Sequence, residues 1–149
     1  MNKKNSGFSL VELIVVIAIM AVLVGVLAPA YLKYVEKSRK STDIDNVAEM
    51  MDAADKVAAE EETAVSGISF KIKTDSKEAV ASVASASDVQ SAWFELIKAK
   101  TPLKSKEFKA NTIELTGTIQ GNGSVIWSIS GSKDVWFKHS SAFKAKFSA

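Results

Sequence analysis

The sequence has no cysteine, two prolines and a single histidine among its 149 residues. A chain without cysteine forms no disulfide and offers no thiolate to a metal ion or a redox reaction. We expect His139, the single histidine, to lack an acidic partner and to have neither a ligand role nor a catalytic role. The sequence also lacks a glycine-rich phosphate loop, and Asp43 and Asp45 lack the further spacing of a calcium loop. We therefore expect no enzyme activity, no cofactor and no metal site.

An excess of charge of either sign is also missing. The sequence has 19 basic and 17 acidic residues, and without Lys3 and Lys4 near its start the numbers are 17 and 17. Proteins that bind nucleic acid through its phosphates usually have a basic surface. The composition therefore gives no reason to expect nucleic acid as a partner, and only the lysine-rich C-terminal residues favour one.

What the sequence does have is a long apolar run near its N-terminus. The 25 residues from Phe8 to Leu32 contain one charged side chain, Glu12. A helix of about 20 apolar residues spans the roughly 30 Å hydrocarbon core of a bilayer. Since the run is apolar on all sides, it predicts a helix that lies in lipid or inside a large assembly.

Two features distinguish this run from an ordinary membrane anchor. Glu12 lies near its start, where a carboxylate costs up to about 2.5–3.5 kcal/mol on insertion into a bilayer, so a charge here indicates a function and a partner. A short basic segment, residues 1–7, directly precedes the run. A secretory signal is cut after its apolar region, and Pro29 disfavours cleavage there. The sequence therefore favours a processing site before the run, between Gly7 and Phe8.

The segment from Lys4 to Met20 resembles the class III signal of type IV pilins and type II pseudopilins. The matches are closely spaced and extend over residues 4–30, whereas the rest of the chain resembles the family only in layout. The resemblance implies that prepilin peptidase cuts after Gly7 and that the new N-terminal residue, Phe8, becomes N-methylated.

The resemblance also implies a route from the cytoplasmic membrane into a helical filament. A subunit waits with its apolar helix in lipid and then transfers that helix into the filament core. There Glu12 is expected to pair with the Phe8 amino group of a neighbouring subunit. A subunit at the wrong depth leaves a buried carboxylate unpaired, so the pair would set the register. Alternatively, Glu12 only marks the cytoplasmic boundary of the membrane.

We therefore interpret the chain as a structural subunit, and as a major pilin, of a type IV pilus that serves adhesion, twitching motility or aggregation. Its expected partners are copies of itself in a homo-oligomeric filament, prepilin peptidase, the assembly platform, minor pilins and the membrane. Two alternatives stay open. One is a pseudopilin of a type II secretion or competence (DNA-uptake) system, and the other is a single-pass membrane-anchored binding protein whose domain acts alone.

This interpretation divides the chain into a leader at residues 1–7, a transmembrane and filament-core helix at residues 8–32, and a globular head at residues 33–149. Basic residues flank the helix on both sides, and the family motif decides for an N-terminus in the cytoplasm. After assembly, the subunit is expected in an extracellular fibre. Since many pilins of Gram-negative bacteria have a C-terminal disulfide, the missing cysteines favour a Gram-positive bacterium or a pseudopilin.

The helical pattern continues beyond the apolar run. Apolar residues recur at helical spacing on one face, and acidic residues dominate the opposite face. One helix from Phe8 to about Glu62 would be about 80 Å long, softened or kinked at Gly25 and Pro29. The alternative is two helices with a break near residues 38–42. The apolar face consists of Ile44, Val47, Ala48, Met51, Ala54, Val57 and Ala58.

The remaining chain predicts strands and one further helix. Residues 68–73 alternate like a strand, and the last third predicts a meander of strands at residues 113–119, 125–129 and 135–138. Residues 143–147 fit either a fourth strand or a short helix. The further helix, capped by Ser87 or Asp88, would direct to the core Val89, Ala92, Trp93, Leu96 and Ile97.

These patterns together predict an α+β fold in which a long N-terminal helix packs on a small antiparallel β-sheet, as in type IV pilins. Val47, Met51, Ala54 and Trp127 are expected in the core. Residues 33–62 contain nine acidic and five basic side chains, whereas residues 133–146 contain four lysines and one aspartate. These opposite charges either help adjacent subunits to pack or lie on separately solvated faces.

Overall fold

A computed structural model describes residues 7–60, 67–84 and 87–147. Its longest element, α1, is an uninterrupted helix of 51 residues, Leu10–Glu60. The alternative of a break near residues 38–42 is therefore wrong. The expected helix end at Glu62 lies outside the described residues, as do Lys3, Lys4 and the rest of residues 1–6.

The chain divides into two compact units between Glu36 and Lys37. In the first unit, every described residue from Gly7 to Tyr34 is exposed. The second unit, called the head below, begins at Lys37 and contains the second half of α1 with all the other elements.

The head is built on a five-stranded antiparallel sheet in the order β3-β2-β1-β4-β5. This α+β architecture of a long N-terminal helix packed on an antiparallel sheet confirms the predicted fold class. The elements after α1 are β1 (Ser69–Thr74), β2 (Glu78–Val83), α2 (Ser87–Leu96), β3 (Lys100–Pro102), α3 (Lys106–Ala110), β4 (Ile113–Ile119), β5 (Val125–Gly131), α4 (Lys133–Phe137) and α5 (Ser141–Ala145).

The core of the head forms where the apolar stripe of α1 meets the inner face of the sheet. Along β4, buried and half-buried residues alternate strictly, as expected for a strand with one covered face. The predicted core residues Val47, Met51, Ala54 and Trp127 are all buried. The described part of α1 contains nine buried residues, all from Asp43 onward, so the helix supplies one wall of the core.

Trp127 on β5 connects the sheet to α1. Its indole Nε1 donates a hydrogen bond to an Asp55 carboxylate oxygen at 2.8 Å. Its ring lies across Gly117 of β4, where a Cβ atom would come within 2.9 Å of the indole. Gly117 therefore gives the ring the space it needs.

Asp43 is a fully buried carboxylate at the start of the buried stripe of α1. Its two oxygens accept hydrogen bonds from the Lys104 backbone N–H at 2.9 and 3.0 Å, and one of them also accepts from the Ser105 N–H at 2.7 Å. Because a buried charge needs polar partners, these backbone donors account for its position. Asp43 thus ties α1 to the loop before α3.

Several sequence-based predictions are corrected by the structure. Residues 135–138 were expected to form a strand but lie in α4 and just after it, and residues 143–147 follow the helical alternative. The segment at residues 76–87 contains β2, which the alternation of small residues did not reveal. Leu96 was expected in the core but is 50% exposed, because it lies at the end of α2. Strand β3 and helix α3 were not predicted.

The predicted cap of α2 also needs correction. Helix α2 begins at Ser87, so Ser87 and Asp88 are its first helical residues and the capping position precedes them. That position lies outside the described residues. Residues 121–123 form the turn between β4 and β5, where Gly123 has a φ of 76° and its N–H donates to the Gln120 carbonyl oxygen at 3.0 Å.

Candidate assembly site at the N-terminus

The N-terminal end of α1 is capped by a side chain of the helix itself. Helix α1 begins at Leu10, so Ser9 occupies the capping position and Glu12 is the third helical residue. The Ser9 backbone N–H donates a hydrogen bond to a Glu12 carboxylate oxygen at 2.9 Å, and the Leu13 N–H donates to the Ser9 carbonyl oxygen at 3.2 Å. A carboxylate that returns from the third helical position to the cap is one half of a capping box. In the isolated chain, Glu12 therefore stabilises its own helix.

This local role of Glu12 was missed in the sequence, although the signal was present. Serine followed three residues later by glutamate, directly before an apolar run, is the pattern of a capping box. The negative charge also lies at the positive end of the helix dipole. The expected role in filament assembly therefore has to be separated from a role in the helix itself.

The residues around the expected cleavage site are open to solvent. Phe8 is 88% exposed, and a Cβ atom on Gly7 would have no neighbour within 4 Å. Nothing in the described chain therefore hinders access of another protein to the bond between Gly7 and Phe8.

The apolar run forms a fully exposed helical surface. It is long and apolar enough to cross a membrane, and none of its apolar window is buried. Gly25 and Pro29 both lie within it, and α1 continues through Pro29. The kink at these two residues stays a prediction. The exposed large side chains on this surface extend from Phe8 to Tyr34.

The Glu107 carboxylate of α3 connects the segment after α4 to the second half of α1. Lys40 and His139 both contact the Glu107 carboxylate, with a distance of 3.4 Å from His139 Nε2 to Glu107 Oε2. The hydrogen bond from Lys40 keeps the pKa of Glu107 below its usual value, although partial burial acts against this. The expectation that His139 has no acidic partner is therefore wrong. The partner comes from α3, 32 positions earlier, which no local pattern indicates.

Part of the positive charge near the C-terminus is neutralised by acidic residues of α1 in the same subunit. Lys146 forms an ion pair with Asp52 on α1. Burial raises the pKa of the neighbouring Asp55 carboxyl, while the hydrogen bond from Trp127 and the charge of Lys146 lower it. A C-terminal lysine therefore offsets an acidic residue of α1 inside the head.

The described residues form no cluster of three or more histidine, cysteine, aspartate or glutamate side chains that could hold a metal ion. Glu49 and Leu96 line two surface cavities, of about 460 and 420 Å³, in the described part of the head. Both linings combine charged side chains of both signs with apolar ones.

The comparisons with known proteins agree with the N-terminal pattern. Residues 2–28 match the family model described as the prokaryotic N-terminal methylation motif. The chain matches none of the curated proteins and none of the solved structures with which it was compared. The family of this motif consists of structural subunits and not of enzymes.

The matched motif implies processing by prepilin peptidase in a membrane and pilus context. The exposed apolar helix behind the motif fits membrane anchoring and export of the pilin type. Residues 2–28 therefore carry the class III signal of type IV pilins, which indicates a pilin-like or pseudopilin-like precursor.

Proposed function

We propose that the mature chain is a structural subunit, and a major pilin, of a type IV pilus that is assembled from the membrane into a helical filament. One observation carries this proposal. Helix α1 is exposed and apolar on all sides in its first half, whereas nine residues of its second half are buried in the head. A surface of this kind needs lipid or neighbouring copies to cover it.

The energetics favour a subunit that uses both environments in turn. Burial of a large apolar side chain contributes roughly 1.5–3 kcal/mol relative to water, so the first half of α1 is strongly held in a membrane. The core of a helix bundle is similarly apolar, so the helix loses little of this burial free energy when it moves from lipid into the filament core. A charged group is the exception, because it needs a partner in both places.

Glu12 is that charged group, and its environment supports a role in assembly. In the isolated chain, its carboxylate accepts one hydrogen bond, from the Ser9 N–H. A carboxylate has room for several donors, so Glu12 can also receive the amino group of a neighbouring Phe8. After cleavage at Gly7, that amino group is the N-terminus of an exposed residue. The pairing would fix the depth at which each subunit enters the filament.

The test is mass spectrometry of the N-terminus in isolated surface fibres. We expect the chain to begin at a methylated Phe8, and we expect Gly7→Leu to block cleavage because the peptidase accepts a small residue there. The matched control is Gly25→Leu, which places the same side chain within the apolar run. Fibres whose subunits begin at Met1 would contradict the proposal.

A pseudopilin has the same signal, so the fibre itself has to be observed. We expect long surface fibres that bind an antibody against this chain. If the chain is cleaved at Gly7 but found only in the cell envelope, it acts as a pseudopilin and the pilus proposal is wrong. Adhesion, twitching motility, aggregation and a Gram-positive cell stay predictions that belong to this proposal.

A further inference from the structure

Strand β5 is one edge of the sheet, and its outer side carries unpaired backbone groups. It is the last strand in the order β3-β2-β1-β4-β5. Its ladder to β4 pairs Thr116 with Ser128 and Gly117 with Trp127. Among the described residues, no other hydrogen bond reaches the backbone of Val125, Trp127 or Ile129.

The groups that face outward follow from the ladder geometry. Beyond one end of the ladder, the Gln120 N–H donates to the Ser124 carbonyl at 2.8 Å, and beyond the other end the Ser132 N–H donates to the Thr112 carbonyl at 3.0 Å. In an antiparallel pair, hydrogen-bonded and non-bonded positions alternate. Ile126, Ser128 and Ser130 therefore bond to β4. The outward groups are the N–H and C=O of Val125, Trp127 and Ile129 and the N–H of Gly131.

The two edges of the sheet differ in how they are protected. The opposite edge strand, β3, has three residues and includes Lys100 and Pro102, and short strands with lysine or proline resist pairing with another chain. Strand β5 has seven residues and contains no charge and no proline. Among the described residues of the head, Ile126 on β5 and Leu96 are the exposed large apolar ones, with Ile126 54% exposed. The β5 edge is therefore an open template for strand addition.

We propose that the β5 edge pairs with the β5 edge of a second copy of this chain, antiparallel and centred on Ser128. In this register Trp127 of each copy faces Ile129 of the other, and the Gly131 N–H faces the Val125 carbonyl. About six hydrogen bonds form, so the outward N–H groups of Trp127, Ile129 and Gly131 each obtain an acceptor. No like charges meet, because the strand is uncharged.

The symmetry of this contact determines whether the two copies can belong to the same fibre. Antiparallel pairing of identical strands has a two-fold axis, whereas subunits of one helical fibre follow each other head to tail. The contact would therefore join heads of two different fibres, and this consequence rests on the proposed function. One seven-residue strand pair is smaller than a typical stable interface, so a single contact is weak. Repeated contacts along two fibres would add by multivalency.

Disulfide trapping tests the pairing itself in the full-length chain, solubilised in detergent. The chain has no cysteine, so an introduced pair is the only one that can form. Ser128→Cys places two thiols at a non-bonded position on the two-fold axis, where the spacing suits a disulfide. Ser82→Cys is the matched control, since Ser82 lies in the same cross-strand row through Lys71 and Thr116 but on the inner strand β2. We expect about tenfold more linked dimer from Ser128→Cys than from Ser82→Cys under mild oxidation.

The register is tested by mixing two further variants. Ile126→Cys and Ser130→Cys face each other only between copies, so we expect linked dimer from the mixture and about tenfold less from either variant alone. Equal linkage of Ser128→Cys and Ser82→Cys, or no linkage of either, would overturn the proposal. Linkage of each single variant without the partner variant would overturn the register. None of these outcomes depends on whether fibres form, so a failure here is distinct from a failure of the pilus proposal.

Discussion

At the scale of single residues, Glu12 has two roles that a substitution can separate. Its carboxylate caps α1 through the Ser9 N–H, and it is the proposed partner of the Phe8 amino group in a neighbouring subunit. Loss of a helix cap costs about 0.5–2 kcal/mol, whereas breaking a buried ion pair costs about 3–5 kcal/mol. The larger effect belongs to the filament.

We therefore predict that Glu12→Ala abolishes or greatly reduces fibres while the mature subunit accumulates in the membrane. Glu12→Gln is the matched variant, because glutamine at the third helical position can still complete a capping box but carries no charge. Its fibre yield should lie between those of wild type and Glu12→Ala. The measurement is fibre yield against membrane-bound subunit on immunoblots. Normal yield from Glu12→Ala, in cells without a wild-type copy, would show that the carboxylate does not govern assembly.

Asp43 provides a second residue-scale prediction, on stability. Asp43→Ala removes the carboxylate that accepts from the Lys104 and Ser105 backbone N–H groups, and loss of the acceptor of a buried donor such as Ser105 costs about 1–3 kcal/mol. We expect the free energy of unfolding to fall by about 1–3 kcal/mol. Asp45→Ala removes an exposed carboxylate two residues away and should change it by less than about 0.5 kcal/mol. Urea unfolding followed by tryptophan fluorescence measures both, and equal midpoints would contradict the assigned role of Asp43.

At the scale of elements, α1 and α3 are joined by the contact of Lys40 with Glu107. The pKa of Glu107 in the folded chain lies below its ordinary value of 4.5, mainly because of the hydrogen bond from Lys40. A carboxyl with a lowered pKa contributes stability that is present above its ordinary pKa and is lost as the pH falls through its folded pKa. The Glu107 side chain is 38% exposed, so solvent screens the contact and its contribution is less than about 1 kcal/mol.

We predict that Glu107→Gln lowers the free energy of unfolding at pH 7 by this small amount. The difference from wild type should start to shrink as the pH falls below about 4.5 and should disappear below the folded pKa of Glu107. Glu49→Gln, which removes an exposed carboxylate from α1, controls for the change in net charge. Denaturant titrations at a series of pH values measure the difference. A difference that stays constant down to pH 3 would rule out this contact as its source.

The elements that the sequence predicted correctly are those with a clear period. The apolar stripe of α1 and the alternation along β4 and β5 both extend over several repeats. Strand β2 was missed because its buried positions are Ala79 and Ala81, and small residues give a weak strand signal. The run from Val135 to Phe137 has no period, so strand and helix could not be distinguished there. Asp134 in the first turn of α4 was the available sign of a helix.

The N-terminal site was predictable to a different degree. The processing motif lies within one short segment, so its residues are recognisable without a structure. Asp43 contacts residues at least 61 positions later in the chain, and His139 contacts a residue 32 positions earlier. Both contacts therefore depend on how the elements pack. A sequence pattern can indicate such a distant contact only when it places a polar residue at a buried position. Asp43 is such a residue, because it lies within the buried stripe of α1.

At the scale of the whole molecule, the head has its own core within one compact unit. We predict that a truncated chain beginning near Tyr34 folds without its apolar anchor, because the buried residues of α1 start at Asp43. A chain beginning at Asp45 loses Asp43 and Ile44 and should be markedly less stable. Circular dichroism and thermal unfolding of the two chains provide the comparison. If the longer chain is unfolded, the second half of α1 needs neighbouring subunits to form.

The uninterrupted course of α1 has a consequence for shedding of the head by proteases. Proteases prefer exposed loop tips, where the chain can become extended in an active site. Between the apolar run and Asp43, the chain is helical throughout and offers no such loop. Unwinding α1 far enough to be cut would also disturb the residues that form a wall of the core. We therefore expect the head to be released intact only with difficulty, so that a subunit of the proposed fibre would resist shedding by extracellular proteases.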